Sequence, residues 1–551
     1  MAAVAVAQVG KEGQGRLLEV EERLVDEHGR EEDVAAGADK TFRSYDPDQL
    51  LLLSPSIQEW VPEGHLARFV SDLVEEALDL SPIYASYEEE RGFPPYDPRL
   101  MLKLLLYGYA TGTPSSRKLE QRSYDDVACR FLCADQHPDY RSIARFRRRH
   151  LEALADLFCQ ALALCAKAGL VKLGRLALDG TKLRANASRH KAMSYERMKQ
   201  AERKLEAELA ELRAQAKALL EEAETTDEAE DIRYGADRHG DELPAELHRR
   251  EQRLATIREA KAALEAEALA AAEAKKAKGK RRRRDDDEPP APKPKAQRNF
   301  TDPDSKIMKT ADGSFHQCYS GQAAVDEQGQ VIVAAELTNC AADAPAFRPL
   351  LAQLADNIAQ ASPELELAGA QLLADSAYFS EENVETCAGH GLDPFIATER
   401  LKHAERVPPA PRGRIAKGAS PKQRMARKLR TKKGRAAYAR RKAIVEPVFG
   451  QIAVVQNGRR LLLRGLDATR AEWRLHCACH NLLKLFRAGG LALVEQRAKE
   501  SRGLQANAKG LLTAAGGRLR REAGGLRRTV TAVRDNWTAM IALVLVTDPG
   551  S

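Results

Sequence analysis

The stretch LALDGT, from Leu176 to Thr181, is the starting point for interpreting this chain of 551 residues. Three apolar residues precede a carboxylate, Asp179, and a glycine and a threonine that favour a turn follow it. A short apolar run bounded by turn residues is typical of a buried strand. We therefore expect a strand that ends at Asp179 and presents its carboxylate there.

Two later segments place acids in similar surroundings. In QLLADSAYF, Asp375 directly follows another short apolar run, and in AYARRKAIVEPVFG the spacing puts Glu446 on the expected apolar stripe of a helix. Carboxylate oxygens are the ligands that Mg²⁺ and Mn²⁺ prefer. Two such ions about 3.5 to 4 Å apart stabilise both the attacking and the leaving oxygen at a phosphodiester. Each acid alone also suits a cap or a turn, so the prediction of a two-ion site, bridged by Asp179, depends on all three together.

The order of the periodic segments predicts the fold class. After the strand with Asp179 come a hairpin (Phe315–Asp326 and Val331–Thr338), a helix, the strand with Asp375, a helix, a strand over Asp393–Thr398 and the helix with Glu446. We predict an α/β ribonuclease H-like catalytic domain with a long helical insert, preceded by an all-α N-terminal domain.

Composition divides the chain further. We expect a disordered N-terminus over 1–45, a helical DNA-binding domain over 46–168 and the catalytic domain over 169–486. The catalytic domain is interrupted over 190–300, where leucines at heptad spacing predict an antiparallel helical hairpin, followed by a charged, Pro-rich linker. The Gly-, Ala- and Arg-rich tail over 487–551 indicates no particular function.

Basic residues are concentrated ahead of Glu446. The chain carries a net charge of +7, and Arg400–Lys442 contains 17 Lys and Arg residues against one acid. Such a cluster is the electrostatic footprint of nucleic-acid binding. A solvated basic loop is the alternative, and it is compatible with the same function because a loop can order on DNA. The end of the segment lies one to two helical turns before Glu446, which makes Tyr438, Arg441 and Lys442 candidate contacts to phosphates beside the scissile bond.

A second basic element lies in DYRSIARFRRRH, over Asp139–His150. Two short helices across a turn, with the second rich in arginine, are compatible with a helix-turn-helix that docks in a major groove. The candidate DNA contacts are Arg145, Arg148 and Arg149. The alternative is a structural helix with an Arg-rich solvent face.

Composition also excludes several classes of protein. No window approaches the roughly 18 to 20 apolar residues of a membrane span, and the N-terminus lacks the basic and apolar regions of a signal peptide. Nine cysteines without framework spacing fit a reducing cytoplasm. The cluster HCACHN (His476–Asn481) contains metal-ligand types, but no second cysteine pair lies at zinc-finger spacing, so we interpret it as a packed helix.

The chain resembles the DDE transposases of bacterial insertion sequences, in the branch with an N-terminal helical domain and a long helical insert. The resemblance runs from about Asp46 to about Phe486 and rests on PYDPRLMLKLLLYGYATGTPSSRKLEQRSYDDVACRFL, DQHPDYRSIARFRRRH, LALDGTKLRANAS, SGQAAVDEQGQVIVAAELTN, LLADSAYFSEEN and RRKAIVEPVFGQI. It implies that Asp179, Asp375 and Glu446 are the catalytic triad. It also implies two Mg²⁺ (or Mn²⁺) ions, double-stranded DNA as partner, a homodimer in the synaptic complex, and a bacterial, nucleoid-associated cytoplasmic location.

Two departures from the family pattern accompany the resemblance. Tyr438 and Arg441 match the family's Tyr and Arg ahead of the glutamate, but four residues separate Arg441 from Glu446 where the family has three, so Lys442 is the alternative for the basic role. In addition, Ala453 stands where the family has a Lys.

Cations reappear beyond Ala453, at Arg459 and Arg460. Three functions remain open. The first is a transposase that cleaves DNA at terminal inverted repeats and joins the 3′ ends to target DNA. The second is a nuclease or resolvase of the same fold. The third is a decayed or domesticated transposase that acts only as a DNA-binding protein.

Overall fold

A computed structural model describes most of the chain between residues 56 and 499. The described residues are 56–87, 94–188, 191–230, 242–277, 291–310, 312–399, 408–416, 418–497 and 499. The expected disordered N-terminus (1–45), most of the C-terminal tail (487–551) and most of the charged linker lie outside these residues.

The first part of the described chain is helical, as predicted. Its helices are α1 (Ile57–Trp60), α2 (Leu66–Asp72), α3 (Ser81–Tyr84), α4 (Pro98–Ala110), α5 (Ser116–Asp125), α6 (Val127–Leu132), α7 (Tyr140–Arg149) and α8 (Leu151–Lys167), with a π-helical turn over Leu73–Ala77. Asp97 caps α4 by accepting a hydrogen bond from the Arg99 N–H, and Pro98 occupies the first turn. Nearly every residue of α4 is buried, which confirms its predicted place in the core of this helical part.

A mixed sheet forms the centre of the second part. Its strands are β1 (Arg175–Arg184), β4 (Lys306–Lys309), β5 (Phe315–Asp326), β6 (Ile332–Thr338), β7 (Gln371–Ala374) and β8 (Asp393–Ile396); the short strands β2 (Ala192–Ser194) and β3 (Gln297–Asn299) pair separately. The order is β4-β5-β1-β7-β8, with β6 also paired to β5. β1 runs antiparallel to β5 and parallel to β7, and β7 runs parallel to β8.

The first strand is longer than predicted, and Asp179 lies in its middle. We expected the strand to end at Asp179 with a turn at Gly180 and Thr181, which is wrong. Both residues pair with β5, opposite Gln322 and Gly321. A Cβ at residue 180 would lie 2.5 Å from Nε2 of Gln322. The glycine therefore leaves room for the end of the Gln322 side chain within a continuous strand, and no turn occurs at this position.

The predicted helical insert is present as two long helices, α9 (Tyr195–Glu230) and α10 (Glu242–Ala277). Leu205 and Leu209 of α9 are buried against Leu254 and Ile257 of α10. The ion pairs between the two helices run in reverse order, because Glu202 of α9 pairs with Lys261 of α10 at 2.7 Å, whereas the later Glu208 pairs with the earlier Arg250 at 3.2 Å. This pairing order makes the helices antiparallel.

The remaining helices complete the second part. They are α11 (Phe347–Ala361), α12 (Glu381–Gly389), α13 (Pro421–Arg430), α14 (Lys432–Val454) and α15 (Leu466–Ala488). The described part of the basic segment is therefore largely helical. A capping box between Ser420 and Gln423 begins α13, and the Thr431 hydroxyl caps α14.

The cysteine and histidine cluster HCACHN lies within α15. Its two cysteines and two histidines are buried, and all nine cysteines of the chain are free thiols. Within the described residues, no group of three or more His, Cys, Asp or Glu side chains is arranged to hold a metal ion. None of the described helices combines the length and apolar character needed to span a bilayer.

Candidate active site

The site is centred on an ion pair between β1 and α14. Nη1 of Arg441 lies 2.6 Å from Oδ2 of Asp179, and the Arg441 side chain is only 11% exposed. The other carboxylate oxygen, Oδ1, accepts a hydrogen bond from the Gly180 N–H at 2.9 Å. Asp179 is therefore a half-buried carboxylate that is held on both oxygens.

Opposing effects set the protonation of Asp179. Burial raises its pKa most strongly, and the nearby charge of Asp375 raises it further. The guanidinium of Arg441 and the Gly180 N–H act in the other direction. The net result is a pKa above the usual aspartate value, and Arg441 favours the ionised form of this carboxylate.

The sheet brings Asp375 to the side of Asp179. Ala177 of β1 is the parallel partner of Leu373 in β7, and each aspartate lies two residues further along the chain, Asp179 within β1 and Asp375 directly after β7. The side chain of Asp375 also accepts a hydrogen bond from the Ala377 N–H at 2.9 Å, which caps a 3₁₀ turn. Two of the three predicted acids therefore lie at equivalent positions on adjacent parallel strands.

Glu446 does not join this pair. Its side chain is 62% exposed and lies 3.9 Å from Nζ of Lys442, which is itself 72% exposed. The buried stripe of α14 is formed instead by Ile444, Val445 and neighbouring residues. Our expectation that Glu446 lies on the apolar stripe is thus wrong. At about 100° per residue, a position five residues after Arg441 is turned about 140° away around the helix.

Tyr438 lies beside Arg441 on the same face of α14. Its ring centroid is 5.9 Å from the guanidinium carbon of Arg441. Burial raises the pKa of the Tyr438 hydroxyl, and the charges of Arg441 and Asp375 act on it in opposite directions. Of the candidate DNA contacts on α14, Tyr438 and Arg441 line the aspartate pair, and Lys442 faces solvent.

The opposite side of β1 carries a polar network that sequence analysis missed. The Tyr378 hydroxyl donates to Oε1 of Gln322, whose Nε2 donates to Oδ1 of Asp343 at 2.8 Å. The Nζ of Lys182 lies 3.1 Å from the same Asp343 oxygen. Tyr378 lies three residues after Asp375, which was a usable signal, but nothing in the sequence around Gln322 or Asp343 marks them.

The Arg-rich helix α7 divides into exposed and buried arginines. Arg145, Arg148 and Arg149 are all exposed. Arg148 donates from Nε to the Ala144 carbonyl at 3.3 Å, and Arg149 lies over the ring of Tyr87, 4.5 Å from its centroid. All three guanidinium groups remain accessible to a polyanion.

Arg147 is different, because it is buried. Its Nη2 donates to the carbonyl of Pro114 at 2.6 Å, and its charge lowers the pKa of Glu472, which burial raises more strongly. Glu472 accepts hydrogen bonds from the Leu462 and Leu463 N–H groups and from the Tyr109 hydroxyl. This arginine therefore stabilises the interior rather than an outer surface.

The side chains present fit a divalent cation in part. Asp179 and Asp375 supply carboxylate oxygens of the kind a hard cation prefers, on adjacent strands. Their mutual repulsion, visible in the raised pKa of Asp179, favours a cation between them. Glu446 completes the donor set only if its side chain and its part of α14 turn toward the pair.

Comparison with known families agrees with this arrangement. Residues 55–149 match a transposase domain family, and residues 285–482 match the transposase DDE domain family. The second match includes Asp375 and Glu446; Asp179 precedes it. No curated protein and no solved structure matches the chain.

Most strands of the mixed sheet lie within the residues that match the DDE domain. This match indicates an enzyme of the polynucleotidyl transferase type. The chain belongs to the DDE-type transposases of insertion sequences. Members of this class bind DNA, and they generally use divalent metal ions.

Proposed function

We propose that this transposase cleaves DNA at the terminal inverted repeats of its element and transfers the 3′ ends to target DNA. The main support is the alignment of Asp179 and Asp375 on parallel strands beneath Arg441. We also propose that the sheet and its helices form a ribonuclease H-like catalytic domain over 169–486, interrupted by the insert over 190–300 and preceded by a DNA-binding domain over 46–168.

The catalytic residues in this proposal are Asp179, Asp375 and Glu446, as ligands of two Mg²⁺ (or Mn²⁺) ions. When bound, such ions stabilise negative charge on the attacking and leaving oxygens. Asp179 and Asp375 are already adjacent, and Glu446 has to approach them through a rearrangement of its exposed side chain and of α14. Its exposure makes this feasible because no buried contact of the carboxylate has to break.

Arg441 and Tyr438 have a binding role beside the acids. Arg441 neutralises Asp179 and lies on the buried side of α14, so its cation is close to any phosphate held by the aspartates. Arginine forms paired hydrogen bonds with phosphate oxygens. Lys442, exposed and near Glu446, contacts the DNA backbone further from the scissile bond.

DNA recognition is assigned to two basic elements. The first is the exposed face of α7, with Arg145, Arg148 and Arg149, in a helix-turn-helix-like arrangement with α6. The second is α13 with the beginning of α14. We further propose a homodimer in the synaptic complex, because two transposon ends must be brought together for joining.

Cleavage of a labelled duplex that carries the element's own terminal repeat tests the proposal. We expect Mg²⁺-dependent 3′-end cleavage by the wild-type protein and its loss in Asp179→Asn and in Glu446→Gln. Strand cleavage that persists in Asp179→Asn would show that the catalytic site lies elsewhere. A strand-transfer assay with a pre-cleaved end then separates a transposase from a nuclease that only cleaves.

A decayed transposase that only binds DNA is the second candidate. Two observations favour it: Glu446 lies apart from the aspartates, and Ala453 stands where the family has a Lys. This candidate predicts repeat binding without cleavage in either the wild-type protein or Ala453→Lys.

A further inference from the structure

A polar cavity of about 190 Å³ lies at the far end of β1, away from the aspartate pair. It is lined by Arg184, Ala185, Ala187, His316, Gln317 and Arg460. Its volume is several times the roughly 30 Å³ that one water molecule occupies in the liquid. The cavity is therefore large enough for a small hydrated anionic group.

The backbone fixes two arginines at this cavity. The Arg184 N–H donates to the Arg459 carbonyl at 2.9 Å, and the Leu461 N–H donates to the Arg184 carbonyl at 2.9 Å. These bonds make Arg184 and Arg460 partners in a parallel bridge. Residues 459–461 thus extend the sheet beside β1, beyond the last residue that pairs with β7. Partners in a parallel bridge project their side chains to the same face, which places both guanidinium groups on one side of the sheet.

Asn186 holds the neighbouring cations in place. Its Oδ1 lies 3.4 Å from Nη2 of Arg460, and its carbonyl accepts a hydrogen bond from Nε of Arg464 at 3.0 Å. Its Nδ2 donates to the Leu462 carbonyl at 2.6 Å, which ties the chain after α14 to the end of β1. The arginine side chains are therefore oriented by bonds to uncharged groups.

The side chains in and beside this cavity carry an excess of positive charge. Arg460 and Arg464 are exposed and have no carboxylate partner among the residues that the structure describes. One acid adjoins the cavity: Oδ2 of Asp312 lies 2.8 Å from Nη2 of Arg184 and 4.0 Å from Nε2 of His316. Unneutralised guanidinium groups around a polar cavity favour an anion with several acceptor oxygens.

We propose that this cavity binds a backbone phosphate of the DNA substrate, at a point separate from the phosphate that is cleaved. This inference depends on the proposed function, because that function supplies the DNA. Asp179 and Arg184 lie five positions apart on a regularly paired strand, so their side chains face opposite sides of the sheet. At about 3.3 Å per residue, about 17 Å of strand separates them, so a single phosphate cannot contact both.

The salt dependence of DNA binding tests the proposal without requiring cleavage. Affinity for the terminal-repeat duplex is measured by fluorescence anisotropy at several salt concentrations. Loss of one phosphate contact lowers the slope of log affinity against log salt by about 0.9. We expect that decrease, with affinity about tenfold weaker, in Arg460→Ala, and partial recovery in Arg460→Lys. Cleavage at saturating protein should remain at the wild-type rate.

Asp312→Asn provides a variant with the opposite expected result. It removes the carboxylate next to Arg184 and leaves an amide oxygen for the hydrogen bonds from Thr310 and Ser314. Binding should become tighter, and a loss-of-fold artefact cannot produce that result. The control for Arg460→Ala is Arg258→Ala, which removes one 53% exposed arginine from the inserted hairpin, where it does not line the cavity.

Three results would overturn the proposal. One is an unchanged slope in Arg460→Ala together with unchanged affinity in Asp312→Asn. Another is an equal decrease of the slope in Arg258→Ala. The third combines two measurements on Arg460→Ala. Inorganic phosphate raises the thermal midpoint of the wild-type protein but not of the variant, and the salt dependence of DNA binding is the same in both. The cavity would then bind free phosphate and not DNA. Failure of the proposed function is a separate result, namely cleavage that survives Asp179→Asn.

Discussion

Arg441 and Asp179 form the ion pair at the centre of the site, with Nη1 of the arginine 2.6 Å from Oδ2 of the aspartate. The pair joins α14 to β1, and it is the contact through which the helix with Glu446 meets the strand with the first aspartate. A cation that is 11% exposed and bound to a half-buried carboxylate stabilises that carboxylate's ionised form.

The pH dependence of cleavage should therefore respond to Arg441. In Arg441→Ala, the pKa of Asp179 rises because burial and the charge of Asp375 are no longer opposed by the guanidinium. Less of the carboxylate is ionised at a given pH, so the acid limb of the single-turnover rate profile should move to higher pH. Arg441→Lys keeps a cation and should move the limb less. An unshifted limb in Arg441→Ala would contradict this account of Asp179.

Metal binding in the absence of DNA should depend differently on Asp179, Asp375 and Glu446. Mn²⁺ at saturating concentration should raise the thermal midpoint of the wild-type protein by several degrees. Asp179→Asn and Asp375→Asn should each remove that increase, and Glu446→Gln should only reduce it, because Glu446 lies apart from the pair in the absence of metal.

Asp97→Asn is the matched control for Asp375→Asn. Both aspartates accept a hydrogen bond from the N–H two residues on, at 2.8 Å for Asp97 and 2.9 Å for Asp375. A metal-induced shift that vanished equally in all four variants would point to a non-specific effect of lost negative charge.

Arginines on α7 should divide into two groups. Arg145→Ala should weaken binding to the terminal repeat and leave the thermal midpoint unchanged, since the side chain is exposed. Arg147→Met should destabilise the protein by about 1 to 3 kcal/mol, because it leaves the buried carbonyl of Pro114 without its donor and removes the cation that favours the ionised form of Glu472. Gel-shift titration and thermal unfolding on both variants check this. The DNA-binding role of α7 is refuted if Arg145, Arg148 and Arg149 can all be changed to Ala without loss of affinity.

Two glycines of α14 should respond in opposite directions to alanine. A Cβ at residue 434 would lie 2.0 Å from the carbonyl oxygen of Lys428 in α13, so Gly434→Ala should cost about 1 to 3 kcal/mol or more. Nothing lies within 4 Å of a Cβ at residue 450. Gly450→Ala should stabilise the helix by up to about 1 kcal/mol. Equal thermal midpoints for the two variants would rule out the close contact between α13 and α14.

Buried histidines should make the protein less stable in mild acid. Burial lowers the pKa of His476 to about 3 and that of His480 to about 4. Between pH 6.5 and 5 the unfolded chain takes up protons at these histidines and the folded chain does not. As the pH decreases to 5, each histidine therefore lowers the free energy of unfolding by about 2 kcal/mol. In His480→Gln, the drop in thermal midpoint from pH 7.5 to 5.0 should be smaller than in the wild type. His248→Gln, at an exposed position, serves as the control.

Local patterns predicted the elements of the sheet well. The hairpin was expected over Phe315–Asp326 and Val331–Thr338, and the strands are Phe315–Asp326 and Ile332–Thr338. The reason is that β6 is an apolar run, the second half of β5 is largely apolar, and a glycine-containing turn lies between them. The short strands β2, β3 and β4 were missed because AMS, QRN and KIMK are too short to show a pattern, and pairing with other segments defines them.

Which acids come together could be predicted only in part. Asp179 and Asp375 are adjacent because two buried parallel strands align them, and the apolar run before each aspartate predicts its strand. The exposed position of Glu446 depends on how α14 is rotated about its axis, and the mixed basic and apolar sequence before it defines that rotation weakly. Tyr378, Gln322 and Asp343 meet through tertiary contacts between three separate segments, which leave no local pattern in the sequence.

The ladder between β2 and β3 bears on how the insert was acquired. Ser194 is the antiparallel partner of Gln297, so the chain leaves and re-enters the sheet-containing part at one point, with Cα atoms about 5 Å apart. The entropic cost of closing such an excursion grows slowly, by about 0.6 kcal/mol for each doubling of its length. The hairpin is thus a module that evolution could lengthen, exchange or discard as one unit, and a short turn between Ser194 and Gln297 should be able to replace it.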